Sequence, residues 1–350
     1  MSSILPIFVG ALLVSAVTHA AAIKVFPNLG LLDKPDRYGL NRNPIPYPTG
    51  LICILLFLVA FICIQPILNE SFSMQHIGLA AAILILGISS FIDDKVQIPP
   101  LIRIGVQIAC ALIIFGTGTR IFTLTNPLSS FTGIADLQLD TWTIVWPALS
   151  NPSVIGAIFT VVWIGLTINA LNWFDGITGQ VSTISIIGFV TIGFLSLSSR
   201  VDQPELALIC FLLAGIAIGS LIFEIPPAKI LMGDTGAMFF GFMLGVVTIY
   251  AGGKVATAFL VLGIPILDFI IVIGRRVLKR KPVLKGNQIN EHLHHRLLTK
   301  GWSPRSIIIL TAIIGTLFGT SALFLTTFGK LVSALLLLVL MTGLSIYSRE

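Results

Sequence analysis

Charge and apolarity are sharply segregated along this chain. Long stretches with almost no charge, at 4–24, 50–68, 76–92, 101–117, 154–172, 180–198, 205–223, 236–252, 256–274, 305–327 and 331–347, alternate with short polar ones. Each run approaches the ~20 residues that cross a hydrocarbon core as a helix. None alternates as a barrel strand would. The pattern predicts an all-α polytopic membrane protein with about eleven transmembrane helices. Between the fourth and fifth runs, the alternation Leu137-Gln138-Leu139-Asp140-Thr141-Trp142-Thr143-Ile144 predicts a short hairpin strand. No internal repeat is visible, which counts against an inverted-repeat transporter.

Composition agrees. The 350 residues are 55% hydrophobic and 10% charged, against ~25% charged in an average soluble domain. Apolar runs reach from end to end, so residues 1–350 read as one transmembrane domain. The net charge of +6 suits membrane orientation and anionic ligands. Nucleic acid is not expected, because no basic patch is interleaved with aromatics on a soluble domain. Cys53, Cys63, Cys110 and Cys210 lie in apolar runs without CxxC spacing and read as small hydrophobes. The N-terminal run ends in small residues, as a signal peptide does, but no Lys or Arg precedes Lys24. An uncleaved first helix is expected.

An odd number of spans puts the two ends on opposite sides. Segments 25–49, 93–100, 173–179, 224–235 and 275–304, with the C-terminus and adjoining helix ends, hold 17 of the 21 Lys and Arg. The remaining four are Arg120, Arg200, Lys254 and Lys330. The positive-inside rule makes the first side cytoplasmic and the N-terminus external. The hairpin between spans 4 and 5 then lies outside, with Trp142 and Trp146 suited to the interface.

Every noteworthy polar cluster falls on the cytoplasmic side. Asp93 and Asp94 end the third run, either as a solvated helix terminus or as a cation site for a phosphate-bearing substrate. The Pro-rich arm from Leu32 to Gly50 is either a plain connector or a stiff loop presenting Arg37 and Arg42 to phosphates. In Asn169-Ala170-Leu171-Asn172-Trp173-Phe174-Asp175-Gly176-Ile177-Thr178-Gly179, Asn169 and Asn172 share a helix face. A mere helix end would not need two amides, an acid and two glycines. In Lys229-Ile230-Leu231-Met232-Gly233-Asp234-Thr235-Gly236-Ala237, Asp234 is either an N-cap or a hard oxygen ligand flanked by glycine. His292-Leu293-His294-His295-Arg296 offers three imidazoles for phosphate or a solvated basic loop; zinc lacks a matching Cys. Arg275-Arg276-Val277-Leu278-Lys279-Arg280-Lys281 is a candidate for anionic lipid headgroups. Asp268 sits inside a run, after Pro265, and must be paired or face water.

In this order, the motifs resemble the polyprenyl-phosphate N-acetylhexosamine-1-phosphate transferases, glycosyltransferase family 4. The resemblance covers nearly the whole chain. It implies transfer of an N-acetylhexosamine 1-phosphate, GlcNAc 1-phosphate foremost, from a UDP-sugar to undecaprenyl phosphate. UMP is released and a lipid-linked cell-envelope glycan begun at the cytoplasmic face of the plasma (inner) membrane. It implies Mg²⁺, or Mn²⁺ in its place. Asp93, Asp94, Asp175, His294 and His295 match catalytic positions, and Asp234 with Asn172 the metal site. Arg37, Asn169, Asn172, Arg276 and His292 match substrate-binding positions.

The departures are specific. Thr178 stands where the family has a second Asp, and the first arm reads Arg37-Tyr38, Asn41 and Thr49-Gly50 instead of Arg-Lys, His and Gly-Gly. The pattern His292-x-His294-His295 is that of the WecA-like branch. The MraY branch, which transfers phospho-MurNAc-pentapeptide, has three adjacent histidines and is the alternative. A transporter with buried acids is the rival of another class, but it predicts charges on both faces. A CDP-alcohol phosphatidyltransferase would need Ala-Arg after Asp175-Gly176. The expected chemistry is phosphoryl transfer between two anions, with Asp93 deprotonating or orienting the lipid phosphate. A covalent aspartyl route is the competing course. Partners are the polyprenyl phosphate, the UDP-sugar and the membrane; a homodimer is left open.

Overall fold

The computed structural model describes residues 3–38, 42–67, 72–145, 151–283 and 291–348, with only the backbone of 37, 38, 65–67 and 130. The side chain of Arg37, together with Asn41 and Trp146, therefore lies outside the described residues. The helices are α1 (Ile4–Asn28), α2 (Gly50–Ile67), α3 (Met74–Val96), α4 (Pro100–Gly116), α5 (Ser129–Thr132), α6 (Val154–Phe174) and α7 (Gln180–Leu197). They continue with α8 (Pro204–Glu224), α9 (Gly233–Tyr250), α10 (Val255–Val261), α11 (Gly263–Leu278), α12 (Leu293–Thr299), α13 (Pro304–Phe324) and α14 (Thr327–Tyr347). A small antiparallel hairpin, β1 (Thr123–Thr125) and β2 (Asp136–Gln138), sits between α4 and α6 with Leu124 opposite Leu137. The expected strand over 137–144 is thus shorter and starts one residue earlier.

Over the described residues, each of the eleven apolar runs is helical through most of its length. Among the described residues, eight helices are long and apolar enough to cross a membrane: α1, α3, α6, α7, α8, α9, α13 and α14. Residues 50–64 of α2 and all of α4 are shorter apolar helices. The run at 256–274, expected as one helix, is two, α10 and α11, bent by 84°. The break falls where Pro265 is best accommodated. In the first turn of α11 its missing N–H has no intrahelical carbonyl to meet, whereas inside a continuous helix it would break the ladder.

The hub is α9, 89% of whose apolar window is buried. It packs against α2, α3, α6 and α7. Hydrocarbon gives helices little hydrophobic reason to associate, so close backbone approach has to hold them. Gly241 and Gly245 provide it: an added Cβ would stand 2.7 Å from the Thr167 carbonyl and 2.6 Å from Thr167 Oγ1 on α6. Gly215 and Gly219 of α8 play the same part against α1. At the rim, α1 and α14 are 11% and 17% buried over their apolar windows, and their exposed Leu and Val suit lipid. Gly241→Leu is expected to force α6 from α9. It should lower stability by about 1–3 kcal/mol, read as an earlier unfolding midpoint in detergent, and should also lower turnover by displacing Asn172 and Asp234 together.

Candidate active site

One end of the bundle gathers the C-terminal ends of α3, α6 and α8 with the N-terminal ends of α4 and α9. Neighbouring residues on a helix point about 100° apart, and that divides the acid pair at the end of α3. Asp94 reaches α9. Its Oδ1 accepts from the Asp234 amide (2.9 Å), and its Oδ2 from the Thr235 amide (3.0 Å) and Thr235 Oγ1 (2.5 Å). Tyr47 OH, on the arm before α2, donates to Oδ1 at 2.5 Å. Asp94 is therefore the N-cap of α9, supplied from another helix, where a carboxylate also meets the positive end of the helix dipole. Gly233, at φ 76°, turns those amides onto it, and a Cβ there would stand 2.8 Å from Asp94 Oδ2.

Asp93 turns the other way, toward α4. Its buried carboxylate accepts from the Ile98 amide (2.7 Å) and lies 3.0 Å from Arg103 Nη1. Arg103 Nη1 is also 3.6 Å from Asp234 Oδ2, and Nη2 donates to Asn172 Oδ1 at 3.0 Å. One turn further along each helix, Gln107 and Asn169 exchange amide hydrogen bonds, the shorter at 2.6 Å. Arg103 and Gln107 of α4 thus form a polar ladder with Asn172 and Asn169 of α6. A single guanidinium ties together Asp93, Asn172 and Asp234. Because Asp94 already caps the helix, the Asp234 side chain is spared that duty and stays 35% exposed.

Asp175 follows α6 directly. Its carboxylate has no hydrogen bond or ion pair among the described residues, while Glu224, Asp234 and Asp94 all act on it as like charges. Burial first, then those neighbours, hold its carboxyl well above the usual carboxylate range. Glu224 is itself buried at the end of α8, accepting from Ser182 Oγ at 2.7 Å and from Ser220 Oγ.

This donor set fits a hard divalent cation. It offers carboxylate and amide oxygens, carries an excess of negative charge against one Arg, and includes an uncompensated carboxylate. Among the described residues no three acidic, His or Cys groups already form a metal cage. Mg²⁺ needs none, since it keeps waters and takes one or two carboxylates with substrate phosphates.

Beside the acids stand the histidines. A Cβ on Gly176 would stand 1.9 Å from His294 Nε2, so glycine after Asp175 is what admits the ring. Neither ring nitrogen of His294 has a hydrogen-bond partner among the described residues. Burial, then the neighbouring His295, lowers its pKa to about 3. The ring is neutral and can serve a ligand as donor or acceptor, not as a cation. His295 is likewise shifted down, by burial and by His292. His292 donates to Asp268 and packs edge-on against Trp173. Arg276 is buried and engaged: Nε and Nη2 bind Glu291 Oε2 (3.0 and 2.5 Å), Nη1 binds the Val283 carbonyl (2.8 Å), and its face lies over Trp173.

Residues 76–252 match the model of glycosyl transferase family 4. Along 322 residues, 90% of this chain, it is 30% identical to the probable undecaprenyl-phosphate N-acetylglucosaminyl 1-phosphate transferase of Bacillus subtilis (strain 168), covering 81% of that protein. The chain belongs to glycosyl transferase family 4. Two further relatives frame it. The decaprenyl-phosphate N-acetylglucosaminephosphotransferase of Mycobacterium leprae (strain TN) is 28% identical over 79% of this chain and 72% of its own length. The phospho-N-acetylmuramoyl-pentapeptide-transferase of Clostridium kluyveri (strain NBRC 12016) is 26% identical over 79% and 83%.

For this family 4 chain the structure brings Asp93, Asp94, Asn172, Asp175, Asp234 and His294 to one locus. Asn169 and Arg276 are turned to partners within the protein, Gln107 and Glu291. Three of the groups that hold this locus, Arg103, Tyr47 and Glu224, are not among the residues that the sequence motifs mark as functional. For Arg103 a signal existed: with Gln107 it forms an i, i+4 polar pair on an apolar helix, the spacing needed to meet Asn169 and Asn172.

Proposed function

We propose that this chain transfers N-acetylglucosamine 1-phosphate from a UDP-sugar to a polyprenyl phosphate, releasing UMP and starting a lipid-linked cell-envelope glycan. Family membership supports the reaction class, and the relatives' names support the acceptor and the amino sugar. The observation that carries the reading is Arg103 holding Asp93, Asn172 and Asp234 together at the ends of membrane helices, with the uncompensated Asp175 carboxylate nearby. There a lipid phosphate can reach polar groups while its chain stays in hydrocarbon. The charge asymmetry along the chain favours the cytoplasmic side of the plasma membrane for this end.

A phosphate oxygen of the lipid attacks the phosphorus bearing the sugar, and the bond from that phosphorus to the UMP oxygen breaks. Both reactants are anions, so the protein has to align them and offset charge. Asp234 and Asn172, with Asp175 beside them, would hold Mg²⁺, whose part is to polarise the diphosphate and stabilise leaving UMP. Arg103 keeps Asp93 and Asp234 in register. Asp94 and Tyr47 fix the backbone that carries Asp234. His294 offers a neutral ring to a phosphate oxygen. At pH 7 a phosphomonoester, with a second pKa of about 6, is already largely ionised, so Asp93 serves better by orienting Arg103 than as a base.

The test is UMP release by purified protein from a panel of UDP-sugars with undecaprenyl phosphate. Turnover is expected with UDP-N-acetylglucosamine, and it should stop on chelation of divalent ions. Preference for UDP-MurNAc-pentapeptide would reassign the branch, and no turnover of any UDP-sugar would overturn the reading.

A further inference from the structure

Asp268 lies on α11 within an apolar stretch and is 3% exposed. Nothing in the proposed reaction uses it. Its Oδ2 is 2.7 Å from His292 Nδ1, and its Oδ1 accepts from the Leu293 amide at 2.9 Å. A carboxylate only accepts, so the proton of that contact belongs to His292 Nδ1. The two contacts fix both the backbone where α12 begins and the plane of the His292 ring.

That plane matters for the next histidine. The rings of His292 and His294 are stacked, 5.5 Å between centroids and 9° between planes. His294 is 2% exposed, and no hydrogen bond among the described residues orients it. Among the described residues its ring is located by packing, with His292 on its face and the edges of Phe174 and His295 around it. Nε2 abuts Gly176, next to Asp175. The ring aimed at the acids is thus held by a ring that is itself held by Asp268.

We propose that Asp268 is a positioning residue: it sets the His292 tautomer and, through the stacked rings, holds His294 at the phosphate-bearing substrate. The proposal rests on the transferase reading for its kinetic consequence but not for its structural one. Asp268→Asn would keep an acceptor for the Leu293 amide and present an NH₂ to His292 Nδ1. The ring proton should therefore move to Nε2.

The chain has only five histidines, so ¹⁵N-histidine labelling in bilayers and solid-state NMR can read each tautomer. Wild type is expected to show His292 protonated at Nδ1 at neutral pH, and Asp268→Asn at Nε2. The variant's kcat for UMP release should fall by about 10–100-fold, the scale for removing the carboxylate behind a working imidazole. KM for the UDP-sugar should stay within about threefold of wild type, and Asp268→Glu should recover part of the loss. An Nε2 proton on wild-type His292 would overturn the proposal even if the variant fails to fold. So would a tautomer change with undiminished kcat. Absence of transferase activity would sink the broader reading and leave the NMR test standing.

Discussion

Asp234→Ala is expected to cut UMP release on the order of 10³-fold, the scale for losing a group that stabilises transition-state charge, while leaving the unfolding midpoint nearly unchanged. The separation follows from how the site divides its labour. The backbone of Asp234 is held by Asp94, and its side chain is 35% exposed with one cation, Arg103, at 3.6 Å. Removing that side chain takes away an oxygen proposed to hold Mg²⁺ and no cap. Asp94→Asn should behave differently. Asp94 accepts four hydrogen bonds, three of them from the first turn of α9. An amide can accept at one atom only and would set an NH₂ against the donors of Thr235 or of Tyr47 and Asp234. Stability and activity should then fall together, with a loss of about 1–3 kcal/mol for the unsatisfied donors. The pair of measurements is UMP release and thermal unfolding in the same detergent. Equal stability losses for the two variants would contradict the assignment of Asp94 as the cap.

Much of this architecture is written in hydropathy, because a bilayer leaves a chain few choices. Backbone groups in hydrocarbon must be satisfied within each segment, so an uncharged run of sufficient length is a helix. Each of the eleven runs is helical through most of its described length for that reason. The bend between α10 and α11 escapes such reasoning: the run is apolar throughout, and Pro265 is compatible with either a kink or a first turn. The gathering of these residues at one end was legible, since acids and amides clustered at helix ends are costly unless used. Their division of labour was not. Whether Asp93 or Asp94 meets α9 depends on the rotation of α3 and on which helices pack beside it, and both are tertiary facts. Arg276 shows the converse. Beside a basic run it looks like a phosphate clamp, yet it is buried against Glu291 and the Val283 carbonyl. In sequence, Arg103 is one more basic residue beside a helix end, which counts toward orientation like any other.

Replacing Arg103 should give the other large effect. Its guanidinium contacts Asp93 at 3.0 Å, Asn172 at 3.0 Å and Asp234 at 3.6 Å from two nitrogens of one planar fork. Arg103→Ala leaves the buried Asp93 carboxylate without its cation and lets Asp93 and Asp234 repel each other unshielded. UMP release is expected to fall about 10²–10³-fold, the loss that follows when a preorganised charge contact is removed from a phosphoryl-transfer site. The stability cost should be smaller than for a fully buried pair, about 1–3 kcal/mol, because the side chain is 24% exposed and water screens part of the charge. Arg103→Lys discriminates between charge and shape. An ammonium carries the same charge but is a point donor and cannot span all three partners as the fork does. If geometry matters, lysine should recover stability more completely than rate. The decisive comparison is the double variant Asp93→Asn with Arg103→Ala. Groups that act as one unit are not additive, so the double variant should be hardly slower than the worse single one. Multiplying losses would mean that Asp93 and Arg103 act separately, and would return Asp93 to the role of an independent base.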